Sequence, residues 1–373
     1  MAIVMDELER FVKVVGWLDE ARWAKADWWD GWKSESVTQL KLSPDQKVLA
    51  HWITYITDMQ MSAKIVWTRG LPVFAAIVKE YVDVDDPNKL LRNRRKPKGK
   101  GKVDTFRING NLEFTPRYPY HHDQIKRTLV ILKEYDKSLV QFISKIIELY
   151  GNSDIGIREI AHALYLLTYT DSKKLSENKT IKILQNRDEL DRSFIKWNKN
   201  TTNNKKRLWA ALRDYVKHDK LCKCFNNNLP KWTEYINLSD LELPGDVWNG
   251  LFAEKMLFPL AERNGVNIKG KRGKSNVNAP MLARRIYEKI GSASFYPEQL
   301  DVSFDIASRM CDKSLCDICV FGKNKAKDFC AEPGSSKLCP VILILTGNKQ
   351  DCSTENCPII TGDGKGLCKG QVY

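Results

Sequence analysis

Apolar residues recur along most of this chain at the three-to-four-residue spacing of helices that bury one face. Residues 1–90 read this way, with Trp17, Trp23, Trp28, Trp29, Trp32, Trp52 and Trp67 as bulky core fillers. A stacking surface for bases is the other use such indoles have. One long periodic run covers 46–81, and the acidic segment 83–88 closes it. Over 103–114 the period changes to two about Asn109-Gly110, which predicts a β-hairpin. Helical spacing returns at Ile125, Leu129, Leu132, Leu139, Ile143, Ile146 and Tyr150, as one amphipathic helix over 125–150. Residues 157–169 predict a second, more completely buried helix, whereas the Lys- and Asn-rich stretch 171–206 reads as looser. Further helical runs end at Ala261, start at Met281 and cover 299–310, and 341–345 is a short buried strand or helix. The expected fold class is mainly α: a multi-helix body, a small β-hairpin insertion and a C-terminal cysteine-rich metal-binding tail. The expected domains are 1–90, 91–118, 119–310 and 311–373.

Charge changes the picture from a plain helical body to one with a partner. The 373 residues are 43% hydrophobic and 28% charged, ordinary for a globular chain, but the formal net charge is +14. A surplus of that sign favours a polyanion, nucleic acid before membrane. It is concentrated: Arg92, Arg94, Arg95, Lys96, Lys98, Lys100 and Lys102 lie in one stretch, interleaved with Pro97, Gly99 and Gly101. That interleaving predicts a mobile loop beside the hairpin, either a wing against a phosphate backbone or a solvated tip. Seven phosphate contacts would give a salt slope of roughly −6. Lys269, Lys271, Arg272 and Lys274 form a second basic, glycine-bearing loop. No apolar run approaches the roughly eighteen residues that span a bilayer. The N-terminal residues reach Asp6 and Glu7 without a signal-type apolar core, so a cytoplasmic location is expected.

In that compartment thiols stay reduced, which bears on the most concentrated chemistry in the chain. Eight of the ten cysteines lie in 311–368: Cys311, Cys316, Cys319, Cys330, Cys339, Cys352, Cys357 and Cys368. Cys316 and Cys319 are spaced to let both thiolates reach one metal centre, and Cys311 and Cys330 can complete a tetrad. The irregular outer spacings favour a [4Fe–4S] cluster, with zinc as the alternative. Cys339, Cys352, Cys357 and Cys368 partly repeat the pattern and form a second possible site. Cys222 and Cys224 receive no role. Elsewhere, Asp58 is the lone acid between Asp45 and Glu80 and lies among Trp52, Tyr55 and Met61 in sequence. A carboxylate there must be capped, paired with Lys64 or Arg69, or functional. His121 and His122, in Tyr118-Pro-Tyr-His-His-Asp123, read as loop or cap residues.

From 241 onward the order of parts resembles a known family. Leu243-Pro244-Gly245 stands before a helical run, and Val277-Asn278 opens a helix bearing Arg284, Arg285 and Ile286. A last helix then leads into Cys311. Over roughly 241–330 this resembles the helix-hairpin-helix DNA glycosylases that end in a cysteine-ligated iron–sulfur loop. The resemblance implies that Gly245 and its neighbours grip a phosphate through backbone N–H groups. It also implies that a base is flipped out of the stack and excised. Three positions depart from the family: Val247 replaces a second glycine, Asn249 replaces a lysine nucleophile, and Asn278 stands at the catalytic aspartate position. An amide is no general base, so Asp58 and Asp246 join Asn278 as the catalytic candidates. The resulting expectation is a DNA-binding N-glycosylase acting on a damaged or modified base, with DNA favoured over RNA. The alternatives are a non-catalytic nucleic-acid-binding or defence protein with a structural metal tail, or an RNA-modification factor.

Overall fold

The computed structural model describes residues 15, 30–57, 65–91, 94–95, 105–108, 112–116, 118, 120–151, 155–169, 175–199, 206–221, 238–243, 258–266, 275–291 and 296–301. The chain is mainly helical with a small antiparallel sheet, as the periodicity predicts. It divides into two compact units. One comprises 27–203 and 207–240, and the other comprises 1–26, 204–206 and 241–373.

The larger unit is built around a helix that is apolar nearly all round. After the short helices α1 (Asp30–Lys33) and α2 (Glu35–Thr38) comes α3 (Pro44–Thr57), buried at every position from Val48 to Thr57. Such a helix belongs in the middle of a core. Its polar side chains are met from within: Thr54 donates to the Ala50 carbonyl at 2.7 Å, and Thr57 to the Thr54 carbonyl at 2.8 Å. Within the 46–81 run the described residues form α3 and α4 (Leu71–Tyr81), with a π-helical turn, Val66–Gly70, leading into α4. Gly31 of α1 lies so close to this turn that a Cβ would come within 2.0 Å of the Trp67 carbonyl oxygen. Trp32, Trp52 and Trp67 are all buried and serve as core fillers.

After α5 (Pro87–Leu90) come three strands, β1 (Arg94–Arg95), β2 (Thr105–Ile108) and β3 (Leu112–Phe114), paired antiparallel in the order β1-β2-β3. The predicted hairpin is therefore present, with Phe106 opposite Phe114 and Ile108 opposite Leu112. Its alternation does what a period of two requires: Phe106, Ile108 and Phe114 are buried, while Arg107 faces outward and pairs with Glu113. Phe106 and Phe114 meet Phe74 of α4 edge-on, at 5.7 and 5.4 Å between centroids.

The single helix expected over 125–150 is two: α6 (Tyr120–Leu132), a 3-10 turn at Lys133–Tyr135, and α7 (Leu139–Leu149). Asp136 and Lys137 take left-handed φ values of 52° and 56°, which no α-helix continues through. Ser138 then caps α7 by accepting from the Gln141 N–H, and it donates to Asp45 at 2.8 Å. Lys137 reaches back to the carbonyls of Val82 and Val84 at 2.8 and 3.2 Å, at the C-terminal end of α4. His121 and His122 lie in the first turn of α6 and are buried, not in a loop. The stretch read as loose holds two helices, α9 (Glu177–Leu184) and α10 (Arg187–Lys199), which follow α8 (Ile157–Thr168). Their starts are written in Ser176, whose hydroxyl accepts from the Lys179 N–H, and Asn186, whose side chain accepts from the Glu189 N–H. The helix α11 (Lys206–Leu221) brings Tyr215 against α3, where its hydroxyl donates to the Val48 carbonyl at 2.9 Å.

Arg127 joins three of these helices. The residue is 5% exposed, and its guanidinium donates to the Leu166 carbonyl at 3.2 and 3.3 Å, to the Leu175 carbonyl at 3.2 Å and to the Thr180 hydroxyl. Leu166 lies in the last turn of α8, where carbonyls lack helical partners and a cation is favoured. Burial pulls the Arg127 pKa down, and Glu177 pushes it back up. Trp52 donates to Thr168 at 3.0 Å, two residues on from Leu166, so α3 is tied to the same helix end.

In the smaller unit, α12 (Phe258–Arg263) and α13 (Ser275–Ile290) bury Phe258, Ala261, Ala279, Leu282, Ala283 and Ile286. The helix α13 starts at Ser275 rather than Met281 and carries Pro280 inside it. Arg284 stacks over Tyr287 and donates to the Leu241 carbonyl at 3.0 Å.

Replacing Arg127 by Met removes the donor while leaving its acceptors buried. We expect Arg127→Met to cost about 3 kcal/mol or more, read as a fall in urea midpoint. A wild-type midpoint would show that these bonds contribute nothing net.

Candidate nucleic-acid interface

The basic stretch contains a strand near its start. Arg94 pairs with Phe106 and Arg95 with Thr105, so both lie on an edge strand of the sheet. The reason is the hairpin beside it: β2 offers a free ladder edge, and Arg is tolerated there because edge charges block further sheet pairing. The sheet is fixed to the body through Phe106, Phe114 and Phe74, and Phe106 also stacks on His122 at 5.7 Å. Phe114 lies on Gly70 of the π-helical turn, where a Cβ would meet its ring at 3.3 Å. The backbone of Arg94 and Arg95 thus belongs to a sheet that packs on the core.

The other residues singled out from sequence divide sharply. Asn278 lies in the first turns of α13, in the smaller unit. Asp58, Asp246, Gly245, Arg92, Lys96, Lys98, Lys269, Lys271, Arg272, Lys274 and all eight tail cysteines lie outside the described residues. Among the described residues, no group of three or more His, Cys, Asp or Glu side chains could hold a metal ion. None of the described helices is long and apolar enough to cross a membrane.

Two groupings were not foreseen. The first comprises two stacked tyrosine pairs. Tyr118 and Tyr120 stack at 5.2 Å with 11° between their planes, and Tyr120 packs on His121 at 4.6 Å. Tyr165 and Tyr169, one turn apart at the end of α8, stack at 5.6 Å, and Tyr165 continues to Trp197 at 5.9 Å. Arg207 donates to the Ile56 carbonyl at the C-terminal end of α3, at 3.5 Å. Its charge acts on Tyr120, His121 and Tyr169 together. Burial raises the Tyr120 pKa, and brings Tyr169 up to about 12, while Arg207 opposes both shifts. Burial lowers His121 to about 4, against the pull of Gln124 and with a push from Arg207. Tyr120 is 38% exposed, and Tyr118, Tyr165 and Tyr169 are half-buried.

The second grouping is buried. His51 of α3 places Nε2 3.5 Å from the Asp214 carboxylate of α11, which also accepts from Tyr55 and, at 3.4 Å, from Arg213. Tyr55, Trp67 and Tyr215 surround the imidazole at 4.9–5.2 Å. With His51 fully buried, this set closes the core between α3 and α11 rather than facing a substrate. Burial lowers the His51 pKa against the opposing effect of Asp214. The sequence did hold a signal: Asp214 falls three residues after Ala211, beside the apolar stripe Leu208, Ala211, Leu212 and Tyr215.

No family model, no curated protein and no solved structure matches this chain.

His51 and His121 both have pKa values below that of a free imidazole. The unfolded chain therefore binds protons that the folded chain does not, and stability falls as pH drops below about 6.5. His121 alone should remove about 2 kcal/mol between about pH 7.5 and about pH 5. Urea unfolding at the two pH values measures this, and His121→Gln should flatten the dependence by that amount. An unchanged pH profile in the variant would show that His121 titrates alike in the folded and unfolded chain.

Proposed function

We propose that this protein binds nucleic acid, DNA in preference to RNA, by laying the β1–β2 wing against a phosphate backbone. The observation that carries this reading is the mount: two arginines on a strand whose sheet is anchored to the core by Phe106 and Phe114. A backbone already ordered in a sheet loses little further freedom on binding, whereas a solvated loop loses more. The net charge of +14 supplies long-range attraction of the matching sign. Arg92, Lys96, Lys98, Lys100 and Lys102 extend the basic run on either side of β1.

The experiment is duplex DNA binding as a function of salt. The full chain should show a log–log slope of roughly −6, and Arg94→Gln with Arg95→Gln should flatten it by about 2. A double variant with wild-type affinity and slope would remove the wing from the interface. Competition by structured RNA at lower concentration than duplex DNA would reverse the order of partners.

The resemblance over 241–330 attaches base excision to this binding, with Asp246 supplying the carboxylate that Asn278 lacks. The tail thiolates are a donor set that fits a [4Fe–4S] cluster, or zinc, held as a structural staple. Incubation with duplexes carrying modified bases, followed by alkali, should yield strand breaks that Asp246→Asn abolishes. Metal-replete protein that cleaves none of them leaves the chain a non-catalytic binder.

A further inference from the structure

We infer that Arg107 of β2 is a further phosphate contact of the wing, and that Glu113 of β3 is its built-in competitor, displaced when duplex binds. The inference rests on the nucleic-acid reading above and adds to it a device that sets affinity.

The placement comes from the sheet itself. β2 lies between β1 and β3, so Arg107 belongs to the strand next to Arg94 and Arg95, about 4.8 Å away in the pairing direction. Thr105, two residues back on β2, is the register partner of Arg95, and Glu113 is the register partner of Arg107. Residues two apart on a strand share a face, and Thr105 and Arg107 occupy the face opposite to the buried Phe106 and Ile108. On that outer face the Thr105 and Thr115 hydroxyls hydrogen-bond to each other at 2.7 Å, beside the Arg107–Glu113 pair.

The chemistry comes from how the pair is made. Arg107 presents two donors, Nε and Nη2, to one carboxylate oxygen of Glu113. The same fork suits phosphate oxygens, so Glu113 holds the place that a phosphate oxygen would take. The two side chains are 44% and 39% exposed, so a phosphate can reach them without disturbing the core. Water screens an ion pair this open, and breaking such a pair costs no more than about fivefold in an equilibrium constant. Exchange of carboxylate for phosphate is therefore accessible, and Glu113 lowers affinity by the amount it holds Arg107. A pair that only joins β2 to β3 would leave binding unchanged when Glu113 is lost, whereas a competitor would make binding tighter.

The test uses the full-length protein, a labelled blunt DNA duplex and fluorescence anisotropy over a range of salt. Arg107→Gln should weaken binding about fivefold and lower the log–log slope by about 0.9. Glu113→Gln should tighten binding about fivefold, and the gain should shrink to within about twofold when Arg107 is also Gln. In nitrogen–proton spectra the Arg107 Nε–H resonance should move as duplex is added. Near-UV circular dichroism establishes that each variant is folded, and the exposure of both residues favours this. Wild-type affinity and slope in Arg107→Gln overturn the inference, and the wing stands if the Arg94 and Arg95 double variant still weakens binding. Equal gains from Glu113→Gln with and without Arg107 overturn it as well, since a long-range charge effect would then suffice. An Arg107 resonance unmoved by saturating duplex has the same consequence. Absence of duplex binding by the wild-type protein overturns both readings together.

Discussion

The constraint on which the larger unit depends is the burial of α3 from Val48 to Thr57. A stretch of helix with no wet side must have its polar groups answered by protein. The answers come from far along the chain: Asp214 reaches His51 and Tyr55, Thr168 takes the Trp52 indole, and the Tyr215 hydroxyl meets the Val48 carbonyl. Each of these is a contact of high sequence separation. They fix which helices must surround α3, and hence where the ends of α8 and α11 come to lie.

Much of the architecture was legible in the residue pattern. The helices α3, α4, α8 and the β2–β3 hairpin follow from periods of three to four and of two, since burial of one face enforces them. The breaks were harder to see. Asp136 and Lys137 interrupt an apolar spacing that would itself have continued into α7, and the spacing carries no information about φ. Ser138 was the available clue, as were Ser176 and Asn186 for the two helices hidden in a polar stretch. Composition misled there because α9 and α10 bury few apolar side chains.

The candidate site was legible only in outline. Basic residues mark a surface for a polyanion, and that signal is additive along the sequence. A contact such as that of Phe106 with His122 is not, because its members come from separate segments and each looks ordinary alone. The Asp214 pairing shows the same limit. Sequence reasoning looked for the partner of a buried acid near Tyr55 among local residues, whereas Tyr55 meets an acid from another helix.

The π-helical turn Val66–Gly70 adds a residue to what would be a regular helical turn. Helical residues advance by about 100° each, so loss of a single residue here would restore an ordinary helix and rotate α4 by that angle about its axis. Phe74 would turn away from Phe106 and Phe114, while Trp67 and Gly31 would lose their close fit. The length of this turn therefore sets the aim of the sheet. Variation in its residue count would detach the strand of Arg94 and Arg95 from the core.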